Sequence, residues 1–273
     1  MDRGAERGAG TGQLSLFGEP RGGKPDAQTS RGMLQLAGRM VEYRFSRARR
    51  RTIGIRVDAA GLAVGAPLRA PWSEVERFLR AKEDWIVAKL DQWANAPAPR
   101  VLRGVEGEAL PLHGEPLRLM LRDAPRAVQV ADGRIIVSMR ISLREPQRRA
   151  RVLALIQRWL KERALDTLAP RVEHYATRLG LPAPRVVLSN ARRQWGVCVR
   201  RSGVGLIRLN WRLVQLAPAL ADYVVAHEAA HLVEMNHSRR FWAVVASLYP
   251  DWRAARRRLE TAGAALPVFG ERP

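Results

Sequence analysis

The stretch His227-Glu228-Ala229-Ala230-His231-Leu232-Val233-Glu234-Met235-Asn236-His237 holds three of the chain's five histidines. His227 and His231 are four residues apart, so a helix places both imidazoles on one face, about 6 Å apart along its axis. Two such rings can converge on one Zn²⁺ at about 2.0–2.1 Å. Glu228 adjoins the first ligand and can act as base on a water activated from the same side. A third ligand requires the helix to stop. Asn236 tolerates the left-handed conformation of such a stop, which lets His237 swing back, and Ser238 can cap the next helix. Three protein ligands leave a fourth position open, as catalytic rather than structural zinc sites do. The bland alternative is a pair of core histidines in an apolar helix. Burying them beside a glutamate with no partner is costly, and a metal removes that cost. Asn236-His237-Ser238 also fits a glycosylation acceptor, which is rejected because no secretory signal precedes it.

Working outward, Pro218 opens the helix that carries this segment. Arg185–Ser189 reads as a strand, and Val197–Val199 with Val204–Asn210 as a hairpin around Arg201-Ser202-Gly203. The last strand is expected at the cleft edge, where it could pair with an extended peptide, or else as a plain core strand. Pro146 opens a long helical stretch that Pro170 kinks or divides and Gly180 ends. Ser238–Leu248 and Trp252–Leu259 are further helices. Upstream, Met40–Phe45, Thr52–Val57 and Leu62–Ala66 read as strands. Ser73 and Glu76 form a capping box for a helix to about Trp93. Asp132-Gly133 signals a hairpin between Ala127–Val130 and Ile135–Ser138. The expected fold class is α+β. A zincin-like catalytic domain at 146–273, its metal helix following a small β-hairpin or sheet, succeeds a small mixed, β-rich domain at 33–145. Residues 1–32 are too polar to bury a core and read as a disordered tail.

The formal net charge is +21, which favours anionic partners, nucleic acid first. Residues 146–226 hold fifteen basic and four acidic residues, a net +11. Arg192, Arg193, Arg200, Arg201, Arg208 and Arg212 are therefore candidates for a DNA-binding face near the cleft; the alternative is a solvated arginine surface. No long apolar run appears and the single cysteine, Cys198, cannot form an internal disulfide, so the cytoplasm is the expected compartment. In the tail, Gln13-Leu14-Ser15-Leu16-Phe17 resembles the Gln-Leu-x-Leu-Phe peptide with which bacterial replication and repair proteins dock on the sliding clamp. Gln13, Leu14, Leu16 and Phe17 are its candidate contacts.

From Gln194 to Leu259 the chain resembles the YgjP-like metallopeptidases, relatives of the SprT-like and other His-Glu-x-x-His peptidases. The resemblance rests on Trp195-Gly196-x-Cys198, on Leu209-Asn210-Trp211-Arg212-Leu213, and on Asp222-Tyr223-Val224-Val225-x-His227-Glu228. It continues through His231-Leu232, Asn236-His237-Ser238-x-x-Phe241-Trp242 and Pro250-Asp251-Trp252. The family reads Arg-Trp-Gly-Ser-Cys-Ser where this chain has Gln194, Val197 and Val199, so a charge is lost at 194 and polarity at 197 and 199. The resemblance implies a zinc peptidase with one Zn²⁺ per chain and a protein or peptide substrate. Rival readings are a nucleic-acid-associated scaffold with a structural or vestigial zinc, which the intact Glu228 opposes, and a zinc hydrolase acting on something other than peptides. Tyr249 and Arg193 are the candidates by chemistry for stabilising an oxyanion.

Overall fold

Alternating apolar and polar residues pair Thr29–Leu36 (β1) with Arg39–Ala48 (β2) across the two-residue turn Ala37-Gly38. Both turn residues have positive φ, 45° and 76°, the conformation that matches the twist of a tight hairpin. The computed structural model describes residues 29–270 except 59, 96–99, 141–143, 146, 192–193 and 202–203. Strand β1 begins at Thr29, inside the stretch read as tail, and Gly32 shows why it pairs there. A Cβ on Gly32 would stand 2.6 Å from Cζ of Tyr43, its partner on β2.

The described chain is a mixed α+β protein with six α-helices, in two compact units that divide between Ala98 and Pro99. In the first, Gly54–Asp58 (β3) and Gly61–Pro67 (β4) complete a sheet of order β1-β2-β4-β3. Its core joins Leu34, Leu36, Val41, Leu62 and Val64 to Val75 and Leu79 of Trp72–Arg80 (α1) and Ile86 of Glu83–Ala94 (α2). The capping box does not form. Pro71 is the N-cap and no side chain caps the helix. Trp72 enters the first turn instead, its ring 5.5 Å from those of Tyr43 and Phe45, and Glu76 pairs with Arg80.

In the second unit Val101–Leu102 (β5) precedes a sheet of order β6-β7-β9-β8, made by Ala109–Leu112 (β6), Glu115–Arg122 (β7), Ala127–Ala131 (β8) and Arg134–Ser138 (β9). Asp132 and Gly133, both with positive φ, turn β8 into β9 as expected. This sheet shares one hydrophobic core with everything that follows, so the stretch grouped by sequence with the N-terminal domain packs in the unit of the histidines. Gln147–Arg178 (α3) is one 32-residue helix. Pro170 does not divide it, because Ala164, Leu168 and Val172 on its buried face are fully enclosed. Gly180, φ 67°, terminates it.

Arg185–Ser189 (β10), Gly196–Arg201 (β11) and Val204–Asn210 (β12) form a sheet of order β10-β12-β11. Strand β12 is thus the centre of the sheet, paired parallel to β10 and antiparallel to β11. Both its edges are taken, which overturns the expectation that it pairs with a peptide. Pro218–Ala230 (α4) packs on this sheet and on α3. Arg239–Leu248 (α5) and Trp252–Ala264 (α6) follow, and Val268–Phe269 (β13) pairs with β5. Among the described residues no helix is long and apolar enough to cross a membrane.

Candidate metal centre

Helix α4 is apolar on all sides, with every residue from Tyr223 to Ala230 buried, so its polar side chains are enclosed whichever way they point. His227 is 0% exposed, Glu228 1% and His231 8%. The helix stops earlier than the sequence suggests, with His231 as its C-cap. Asn236 does not take positive φ. Turns at Leu232 and Val233 bring the chain round instead, held by their N–H groups on the carbonyls of Ala229 and Ala230. Ser238 caps α5 as expected, its hydroxyl accepting from Phe241 N–H.

The turn carries His237 back to α4. His237 Nε2 lies 3.1 Å from His227 Nε2, and one ring nitrogen from each of the three histidines falls within 4.8 Å of the others. Two nitrogens on one tetrahedral zinc stand about 3.3 Å apart, so the donor set fits a metal. His231 Nδ1 donates to the carbonyl of Glu234 at 3.1 Å, which orients the ring and leaves Nε2 to the cluster. Phe241, fully buried, lies beneath all three rings at 4.4–4.9 Å. Burial drives the His227 and His231 pKa values down, and brings His237 to about 4 with help from the His231 and Arg256 charges. All three rings are therefore neutral at neutral pH, the state a metal requires.

Glu228 occupies a place that strand β11 makes for it. A Cβ on Gly196 would stand 2.6 Å from Glu228 Cδ and Oε1, so only glycine leaves room for the carboxyl. The backbone N–H of Cys198 donates to that carboxyl and lowers its pKa, but burial dominates and pushes it up to about 8. Oε1 is buried with no hydrogen-bond partner among the described residues. The strand itself is held by Asn210, whose amide nitrogen donates to the carbonyls of Ala191 (2.7 Å) and Gln194 (3.0 Å). Gly196, Cys198 and Asn210 shape the surroundings of Glu228 in ways that composition and helical spacing miss. The signal is the Trp195-Gly196-x-Cys198 motif, whose meaning is a space rather than a side chain.

The other candidates are dispersed. Tyr249 donates its hydroxyl to Ala219 C=O at 3.0 Å. Arg192 and Arg193 lie outside the described residues, as do Gln13, Leu14, Leu16 and Phe17, and of Arg200 and Arg201 the backbone alone is described. Arg208 is exposed and pairs in register with Val197 and Val187. This places it on the face of the sheet opposite Gly196 and Cys198, hence away from α4. Arg212 lies over the Trp211 ring at 4.5 Å and donates to Asn190 Oδ1.

No curated protein and no solved structure matches the chain. A family model described as YgjP-like, metallopeptidase domain matches residues 51–262. That range covers well over half of the chain and includes the three histidines, Glu228, Gly196 and Cys198. The chain belongs to the YgjP-like metallopeptidase family.

Proposed function

We propose that the protein is a zinc-dependent metalloendopeptidase with a zincin-like centre. The convergence of three neutral imidazoles beside a buried, half-partnered carboxyl carries this reading. His227, His231 and His237 would hold one zinc ion per chain. When bound, the ion supplies Lewis acidity, lowering the pKa of water toward about 7 and polarising the scissile carbonyl. Glu228 takes the proton of the attacking water and delivers it to the leaving amine. Cys198 N–H anchors one carboxyl oxygen, and Oε1, which has no hydrogen-bond partner among the described residues, is the one to carry the proton. A cation at the histidines also draws the Glu228 pKa down from its raised value, so that it works as a base.

The substrate strand belongs on β11. Asn210 N–H donates to Trp195 C=O, and the alternation of an antiparallel ladder then turns the N–H and C=O of Gly196 and the C=O of Cys198 toward the edge of β11 that has no strand beside it among the described residues. The Cys198 N–H is taken by Glu228. An extended peptide pairing there is read through its backbone and needs no terminus at the site, which suits internal cleavage of unfolded protein. The net charge of +21 and the Gln13–Phe17 peptide support DNA and a bacterial sliding clamp as partners that bring the enzyme to DNA-bound proteins.

The test is metal analysis and proteolysis together. Purified protein should carry about one zinc per chain and cleave an unfolded protein or itself, with or without DNA. Full zinc retention by the His227→Ala, His231→Ala double variant rejects the assignment of ligands. Zinc binding without cleavage of any polypeptide favours the scaffold.

A further inference from the structure

Two of the three histidines are aimed by the backbone that carries them. His227 lies within α4, and His231 at its end donates to the Glu234 carbonyl. Such a bond on the ring nitrogen that faces away from a metal is the usual means of fixing an imidazole ligand. His237 lacks it. It sits between helices, is more exposed than the other two, and among the described residues makes its hydrogen-bond contact through Nε2 with His227. What fixes its plane is aromatic. Phe241 meets it edge-on at 4.6 Å, and Trp242 lies beside it at 5.8 Å with 30° between planes. Trp242 in turn stacks on Trp252, 4.2 Å away and 18° off parallel. Trp252, in the first turn of α6, is buried, and the Arg253 guanidinium covers its ring at 4.5 Å. Trp252 makes no ring contact with any of the three histidines among the described residues.

We infer that the stack His237–Trp242–Trp252 is the positioning device of the third ligand, so that α6 sets metal affinity through a residue that never touches the metal centre. Trp242 fixes the imidazole plane, and Trp252 fixes Trp242. The charged helix beyond it adds a cation–π contact to each indole, Arg253 on Trp252 and Arg256 over Trp242 at 5.7 Å, which restrains both rings. The inference rests on reading His237 as a ligand.

If Trp252 were only core filling, its removal would lower the stability of the metal-free protein and nothing else. Trp242 also meets the His227 ring edge-on at 5.7 Å; if Trp252 acts through His237 and not through that contact, its effect on metal must vanish once His237 is gone, which a double-mutant cycle measures. The experiment uses the full chain, zinc affinity by competition with a chromophoric chelator, cobalt absorption as a measure of ligand geometry, and thermal unfolding of each metal-free variant. Trp252→Leu should weaken zinc about 10–100-fold, the cost of losing an outer-shell partner, and alter the cobalt spectrum. Trp252→Phe, which keeps a stacking ring, should bind within about threefold of the parent. In the His237→Ala background the same Trp252→Leu change should alter zinc affinity by less than about twofold. An equal loss in both backgrounds, or unchanged affinity in Trp252→Leu, overturns the inference while leaving the centre intact. Parental affinity in His237→Ala alone overturns the ligand reading along with it.

Discussion

Gly196 and Glu228 occupy one space: the carboxyl of Glu228 fills the position where any other residue at 196 would put its Cβ, 2.6 Å from Cδ and Oε1. The base of the proposed reaction is therefore placed by a strand rather than by its own helix. Gly196→Ala should keep the zinc ligands, which come from other elements, and displace the carboxyl. A shift of about 1 Å at a reacting group costs about 100-fold, so kcat should fall by that order with zinc content unchanged. Parental kcat in a folded Gly196→Ala protein would show that the carboxyl is not held for chemistry.

Glu228→Gln separates chemistry from structure. The amide has nearly the shape of the carboxyl and removes the proton acceptor, so hydrolysis should drop by about 10²–10⁴. The fold should hold or gain, because a buried group of raised pKa is replaced by a neutral one. Unfolding or loss of zinc in this variant would make Glu228 structural.

Part of the histidine cluster is legible in the sequence because helical spacing is a local property: His227 and His231 share a face in any helix. The β8–β9 hairpin is legible for the same reason, since Asp132-Gly133 carries its own backbone preference. What the sequence hides depends on distant partners. The capping box loses to the packing of Trp72 on Tyr43 and Phe45. Pro170 loses to the buried face of α3. Strand β12 reads as an edge because order along the chain does not reveal that β10 pairs parallel to it. Gly196 and Cys198 contribute an absence and a backbone N–H, neither of which a pattern of side chains displays.

The metal-free protein should be most stable near pH 6.5. His227, His231 and His237 have folded pKa values below the ordinary 6.5. Below 6.5, and down to about 4 for His237, the unfolded chain binds more protons at these rings, and their contribution to stability rises with pH. Glu228 has a folded pKa of about 8 against an ordinary 4.5. Over that window the folded protein binds the extra proton, and stability falls with pH. With His113, which burial also lowers, four rising contributions outweigh one falling just below pH 6.5, and the falling one is left alone above it. Denaturant midpoints across pH 4–9 check this, and Glu228→Gln should flatten the alkaline limb. An alkaline limb unchanged in that variant would refute the burial argument for Glu228.

A peptide of residues 9–21 should bind a bacterial sliding clamp with micromolar affinity, about 8 kcal/mol. Leu16 and Phe17 are large apolar side chains in a segment whose composition gives them nothing to pack against, so a partner's pocket is where they gain most. Leu16→Ala with Phe17→Ala should abolish binding. A parent peptide that binds no better than this variant would leave charge as the sole tie to DNA.

The arginines of residues 185–212 should contribute unequally to DNA binding. Arg212 is laid on Trp211 and bonded to Asn190, so its guanidinium already has partners. Arg208 is exposed, and Arg185, paired in register with Leu206, shares its face of the sheet, away from α4. A duplex on that face would leave the metal centre open to substrate. Arg185→Ala with Arg208→Ala should lower affinity for DNA of any sequence and reduce the slope of log affinity against log salt by about 2, one for each phosphate that is no longer neutralised. Arg212→Ala should leave the slope as it was. Equal slopes for all three proteins would place the phosphate-binding groups elsewhere on the chain, and no binding at low salt would make the arginine excess a solvated surface.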